Sequence, residues 1–238
     1  MEMNYQNKLR AWLLCCFCLT LGFVVQTTTL AQNEDRRIWD VPYGEDRFIL
    51  SFHLDQWLDA PSDVDQQLFS LGVDSYIMYD YKIGKSPISF AWGYGFSSFN
   101  VHHNGFFQRD SINGELFTNL HAYPEDYSFQ KNKHSATFVE IPLELRLRTR
   151  GKNKFKFFVG GTAGYLVNYH YKHKADGKKV KVFDKDEMGV NQLRYGVTAK
   201  IGFNGWSLSG FYSLTPFFEE GEGVEMIPLS LGVTFFLL

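Results

Sequence analysis

A chain of 238 residues with 24 Lys and Arg against 26 Asp and Glu has room for one domain or two small ones. Its formal charge of −2 gives no case for nucleic acid, whose phosphate backbone calls for a large basic excess. Aromatics reach 17% while mean hydropathy is only −0.23, which favours strands and excludes a bundle of transmembrane helices, each needing about 20 mostly apolar residues.

The first element is an apolar run from Trp12 to Val25, preceded by Lys8 and Arg10. Thr29-Leu30-Ala31 then leads into the polar Gln32-Asn33-Glu34-Asp35. Basic flank, apolar middle and small residues in that order predict a signal peptide over 1–31, with an uncleaved anchor as the competing reading. A lipoprotein is disfavoured, because no Cys follows the small residues. Cys15, Cys16 and Cys18 all fall inside this segment, so the mature chain would hold no disulfide, thiolate metal site or cysteine nucleophile. Residues 32–46 read as a periplasmic tail and 47–238 as one domain.

That domain reads in period two, the signature of strands with unlike faces. Phe48, Leu50, Phe52 and Leu54 mark the first strand. Leu71, Val73, Ile77, Tyr79, Tyr81 and Ile83 mark the second, with Asp74, Asp80 and Lys82 opposite. Ile88, Phe90, Trp92, Tyr94 and Phe96 mark the third, backed by Ser89, Ala91, Gly93, Gly95 and Ser97. The fourth, 137–149, sets Val139, Ile141, Leu143, Leu145 and Leu147 against Glu140, Glu144, Arg146 and Arg148. In the fifth, 154–171, one apolar face runs from Phe155 through Phe157, Val159, Tyr165 and Val167 to Tyr169 and Tyr171. Lys154, Lys156, Thr162, Asn168, His170 and Lys172 take its other face. Leu193, Tyr195, Val197, Ala199, Ile201 and Phe203 mark the sixth, with Arg194, Thr198 and Lys200 opposite. Trp206, Leu208, Tyr212 and Leu214 mark the seventh; Ile227, Leu229, Leu231, Val233, Phe235 and Leu237 mark the eighth.

Connections alternate strictly between short and long. Gly84-Lys85-Ser86-Pro87, Arg150-Gly151-Lys152-Asn153 and Asn204-Gly205 are tight, and Asn-Gly is a strong hairpin signal. The segments 55–70, 100–135, 172–191 and 216–226 are long and polar. Short periplasmic turns with long outer loops belong to outer-membrane barrels. The expected fold is therefore all-β: an eight-stranded antiparallel up-and-down transmembrane barrel in the outer membrane, surrounded by its lipids. Tyr79, Tyr81, Phe155, Phe157, Phe203 and Trp206 would form an aromatic girdle near the short turns, and Tyr165, Tyr169 and Tyr171 one near the long loops. The final Ser230-Leu231-Gly232-Val233-Thr234-Phe235-Phe236-Leu237 fits a barrel insertion signal, apart from the extra Leu238.

Eight strands leave an interior that side chains just fill. Asp74, Asp80, Lys82, Glu140, Glu144, Arg146, Arg148, Arg194 and Lys200 are expected to point inward. Their mixed signs suit a salt-bridged core better than an ion path or proton relay. A lipid A-modifying enzyme would need a base, an orienting carboxylate and a serine at one lipid-facing site. His102, His103, His121 and His134, with Ser111, Ser128 and Ser135, fall in or beside the longest loop without catalytic spacing, and the histidines read as solvated. Gly160-Gly161-Thr162-Ala163-Gly164 lacks the ending of a phosphate loop and sits in mid-strand, where glycine relieves crowding. Asp184-Lys185-Asp186-Glu187 lacks the spacing of a calcium loop. Asp110-Ser111-Ile112 matches a short O-glycosylation acceptor pattern. No catalytic, cofactor or metal residue is assigned.

Tyr127-Ser128-Phe129-Gln130-Lys131-Asn132-Lys133, followed by Phe138-Val139-Glu140-Ile141-Pro142-Leu143-Glu144-Leu145, resembles the PorT-like outer-membrane barrels of Bacteroidetes. Gly160 to Leu166, Tyr212-Ser213-Leu214-Thr215-Pro216-Phe217-Phe218 and Pro228-Leu229-Ser230-Leu231-Gly232 carry the same likeness across nearly all of the mature chain. These are strand motifs and not site motifs, so fold carries over better than function. The resemblance implies a Bacteroidetes origin and an eight-stranded barrel; the family's namesake is a component of type IX protein secretion, and many relatives have no assigned role. The expected role is a non-enzymatic interaction or assembly component of the cell envelope, with other envelope or secretion proteins as partners and no nucleic acid. The alternatives are a small pore or surface-adhesion barrel, and then a lipid A-modifying enzyme.

Overall fold

Alternating faces leave each strand with one apolar and one polar side, and a closed ring is the arrangement that separates the two without leaving an edge. The computed structural model describes residues 46–84, 86–112, 115–149, 154–175, 178–182 and 189–237. The expected signal peptide, most of the tail, the turn at 150–153 and the acidic run at 184–187 lie outside these residues.

The strands are β1 (Phe48–Leu58), β2 (Leu71–Lys82), β3 (Ile88–His102), β4 (Gly105–Ile112), β5 (Glu115–Ala122), β6 (Lys131–Arg148), β7 (Phe155–Ala175), β8 (Lys178–Val182), β9 (Leu193–Phe203), β10 (Trp206–Ser213) and β11 (Ile227–Leu237). Eight of them form the ring β1-β2-β3-β6-β7-β9-β10-β11, closed where β11 pairs antiparallel with β1 and where β6 pairs with β7. The other three stand outside that ring. β4 and β5 form a separate hairpin, and β8 pairs only with the far end of β7.

The outward face is an unbroken apolar wall. Phe96, Ile141, Leu145, Val167, Tyr195, Leu208 and Leu231 are each about half exposed, and their neighbours at alternate positions are similar. A soluble protein rarely leaves more than a few hundred Å² of contiguous apolar surface open. Here the wall runs round the whole ring, as hydrocarbon demands. Turning between β9 and β10, Asn204 takes φ 49° in the left-handed region, which lets Phe203 pair directly with Trp206.

The structure departs from the expected pattern in four places. β7 carries a bulge: Phe138 pairs with Leu166 but Thr137 pairs with Asn168, so Val167 is an extra residue. Val167 and Asn168 are both exposed, and beyond them the alternation inverts. Tyr169 is therefore buried inside, Tyr171 follows it inward, and neither joins an outer girdle. His170 and Lys172 turn to the outer face. Secondly, Lys82 is exposed beyond the end of the lumen, because its strand stops there. Thirdly, 100–135 is no simple loop: β3 reaches His102, β6 starts at Lys131, and the β4–β5 hairpin lies between. Lastly, His103 and His134 are buried and not solvated.

Candidate functional site

The lumen holds three layers, from the short-turn end to the long-loop end. The lowest is a chain of ion pairs. Lys156 Nζ lies 2.6 Å from Asp46 Oδ1, and Arg148 Nε lies 3.0 Å from Asp46 Oδ2. Arg148 also reaches Asp80, which takes Arg146 Nη1 at 3.1 Å. Arg146 Nε donates to Glu144 Oε2 at 2.7 Å, and Lys200 closes on the other Glu144 oxygen. The chain draws one residue or more from β2, β6, β7 and β9 and crosses the barrel from wall to wall. Phe158 packs against both arginines, whose guanidinium carbons stand 4.9 and 4.8 Å from its ring centroid.

The middle layer centres on Glu140, which is 1% exposed. Arg194 grips its Oε1 through Nε at 3.0 Å and through Nη2, while Tyr76 and Thr162 donate to Oε2. Arg194 Nη2 also donates to Ser97 Oγ at 2.8 Å, and its guanidinium sits 3.9 Å from the Phe138 ring centroid. Beside this pair His53 is held between two carboxylates, with Nδ1 2.6 Å from Asp55 Oδ1 and Nε2 3.0 Å from Asp74 Oδ1. Both hydrogen bonds form when the ring carries both protons. Asp55 further accepts Ser230 Oγ at 2.6 Å and the Asn100 amide at 2.8 Å. A cavity of about 40 Å³ lies here, bounded by His53, Asp74, Tyr76, Glu140, Arg194 and Ser230, with room for roughly three waters.

Two glycines make this crowding possible. A Cβ on Gly164 would stand 2.8 Å from Glu140 Cγ, and one on Gly72 would stand 2.2 Å from Asp55 Oδ2. Gly164, within the run at 160–164, is thus explained by close approach inside a filled barrel.

The upper layer is an apolar plug. Trp57, Phe99, Val101, Leu120, Phe138, Leu166, Tyr169, Phe217, Phe218 and Met226 are buried together, drawn from barrel strands, the β4–β5 hairpin and the segment after β10. His103 and His134 stack within it at 5.0 Å, and Trp57 lies 5.3 Å from His103. His103 Nδ1 accepts the Gly105 amide at 3.0 Å, so this geometry assigns its proton to Nε2, which is buried without a partner. Burial pushes the His103 ring down to about 3, favouring its neutral form. His134 Nδ1 shares a 2.6 Å hydrogen bond with the Tyr169 hydroxyl.

The long-loop segments are tied across this plug into a crown. Thr118 and Val224 amides bond Glu222 and Thr118 carbonyls at 2.8 and 3.0 Å, and Arg109 pairs with Glu222. Asn104 bonds Asp65 twice, and Gln66 bridges the Trp57 amide and carbonyl at 2.8 and 2.7 Å.

Of the charges expected inside, Asp80, Glu140, Glu144, Arg146, Arg148, Arg194 and Lys200 are buried and paired, Asp74 is half-buried against His53, and Lys82 is exposed at the end of β2. Lys156, expected on the polar face of its strand, joins this network, which Asp46, His53 and Asp55 complete without having been among the expected residues. His102 is half-buried and His121 exposed, and Ser135 donates to Asn100 Oδ1 at 2.6 Å instead of meeting a histidine. Ser111 and Ser128 are exposed. Among the described residues no three metal-binding side chains converge.

Residues 30–219 match the family model described as an outer membrane protein beta-barrel domain. β11 lies beyond the matched span and supplies the strand that closes the ring on β1. No curated protein and no solved structure matches the chain.

Proposed function

The chain belongs to the outer membrane protein beta-barrel domain family and resides in the outer membrane; from that premise we propose that it is a non-enzymatic, non-conducting barrel that holds an extracellular crown for interaction or assembly within the cell envelope. One observation carries this reading: the lumen is filled from the Asp46–Lys156 pair at the short-turn end to the Trp57–Phe217 contact at the other. An ion entering would have to part buried ion pairs and then cross an apolar, aromatic layer. The crown, in contrast, offers open surface on strands that barrel closure does not use.

The likeness of 138–145 and 212–218 to PorT-like barrels motivates a finer reading, in which the partners belong to type IX protein secretion. A small pore is the second reading, favoured by the cavity beside His53 and Glu140. The test is a pull-down of tagged protein from mild-detergent outer membranes, comparing the full chain with one whose residues 105–122 are replaced by a short Gly-Ser link. A stoichiometric envelope partner held by the full chain and lost from the variant supports the proposal, and a secretion component among those partners supports the finer one. Absence of any partner, with ion conductance in planar bilayers, would transfer the case to the pore. A lipid A-modifying activity is tested separately by the lipid A mass spectrum of a deletion strain, which this proposal expects to be unchanged.

A further inference from the structure

The β7 bulge has a consequence outside the barrel. Past Val167 the even-numbered residues face outward, so His170, Lys172 and Lys174 share the outer surface with Lys131 and Lys133 of β6. The register sets lysine directly against lysine: Lys133 pairs with Lys172, and Lys131 with Lys174. His102 of β3 is the neighbour of Lys133 on the other side. The β8 backbone adds Lys181 opposite Lys172 and Lys179 opposite Lys174. Like charges placed directly across a ladder destabilise it. Among the described residues no carboxylate forms an ion pair with Lys131, Lys133 or Lys174.

The height of this patch identifies its surroundings. On the same faces below it, Val139, Ile141, Leu143 and Leu145 of β6 and Phe157, Val159, Tyr165 and Val167 of β7 are exposed to hydrocarbon. A strand rising about 3.3 Å per residue at a tilt near 40° gains roughly 2.5 Å of height per residue. Lys133 and Lys172 then start about 12–15 Å above the last outward aliphatic residues. Long lysine side chains snorkel toward the interface, and the headgroup layer is roughly 5–8 Å deep. With their side chains directed back toward the bilayer, the ammonium groups of Lys133 and Lys172 reach the outer part of the headgroup layer, and Lys131 and Lys174 stand one step above them, on the side of the long loops.

We propose that Lys131, Lys133, Lys172 and Lys174, with His102 and His170 at their edges, form a binding site on the outer barrel wall for a phosphate-bearing glycolipid of the outer leaflet. The lipid phosphates neutralise the stacked cationic pairs while its acyl chains lie along the apolar columns beneath. Both parts of the ligand are required: the phosphate by the lysines, the chains by the wall. This inference is independent of any role for the crown.

The test uses the full mature chain refolded into neutral phosphatidylcholine nanodiscs, titrated with bisphosphorylated lipid A and with the same lipid dephosphorylated, and read by native mass spectrometry of the released barrel. The site predicts at least a tenfold preference for the phosphorylated lipid, lost in K131S/K133S/K172S/K174S and kept in the corresponding four Lys→Arg variant. Heat-modifiable migration verifies that each variant is folded. If the serine variant fails to fold, the wild-type protein still decides the matter: the preference must collapse in 1 M salt and must survive millimolar inorganic phosphate, which lacks the chains. Equal retention of the two lipids, or a preference unchanged in the serine variant or in salt, would overturn the proposal. Displacement by inorganic phosphate alone would reduce the patch to a free-anion site and overturn the lipid assignment.

Discussion

Neutralising Glu140 is the sharpest perturbation of a filled lumen. Its carboxylate is 1% exposed, and Arg194 Nε lies 3.0 Å from Oε1. Coulomb attraction at that distance and an effective dielectric near 20 is about 5–6 kcal/mol. Glu140→Gln keeps the shape and two acceptor lone pairs but removes the hydrogen-bonded counter-charge of Arg194, leaving only Asp74, which His53 already engages. Breaking a buried pair from one side costs about 3–5 kcal/mol, and Arg194→Met should cost a similar amount by stranding Glu140. Replacing both, as E140L/R194M, removes the uncompensated charge and should return to within about 1–2 kcal/mol of wild type. The assay is reversible urea unfolding in thin phospholipid vesicles, followed by tryptophan fluorescence and by gel migration. Single variants that each lose under ~1 kcal/mol, or a double variant that loses the sum of the two, would refute the reasoning. Small single losses would mean that water screens this pair as it does on a surface, and the cavity beside it would then belong to a hydrated path.

Other expectations follow from the same geometry. Gly72→Val drives a branched side chain into Asp55 and His53 and should lower stability by about 1–3 kcal/mol, seen as an earlier urea midpoint. Deleting Val167 removes the bulge and leaves Leu166 inward, Asn168 outward and Tyr169 inward in unbroken alternation, so the barrel should keep both its heat-modifiable migration and its wild-type rate of proteolysis at 105–122. The plug should loosen in acid. Burial pushes the His103 ring down to about 3 in the fold against about 6.5 when unfolded, so its contribution is whole above pH 6.5. It should weaken as pH falls toward 3, by about 1.4 kcal/mol per unit. Hydrogen exchange of the Leu120 amide at pH 7 and pH 4 measures this, and His103→Leu should flatten the difference.

Closure was legible because it rests on local rules. Period-two alternation fixes the faces, and the alternation of tight turns with long connections fixes which end is which. Glu140, Glu144, Arg146 and Arg194 could be placed inside from parity alone. Parity fails where the backbone gains one residue: Val167, Asn168, Tyr169, His170 and Tyr171 alternate on past the bulge, and the only break in the pattern is the apolar Leu166 beside Val167. The inversion needs the register against β6 to be seen. Asp46 was hidden for another reason, lying before the first periodic residue and reaching Arg148 and Lys156 more than a hundred residues away. His103 and His134 are polar residues in a long connection, where solvation is the ordinary expectation. The density of Trp57, Phe106, Phe107, Phe217 and Phe218 in the long connections was the available sign that these segments would bury one another. The crown's strands were missed because β4 and β5 stand outside the barrel ring, where no hydrocarbon imposes an apolar outer face.

The central claim is that this outer-membrane barrel is closed to ions, and single-channel recording in planar bilayers tests it most directly. Protein refolded to the heat-modifiable form, reconstituted at neutral pH in 1 M KCl, should produce no conductance steps above the bare-bilayer background. Stable steps whose cation preference changes on Arg194→Met would contradict the account, because the ions would then be passing Glu140.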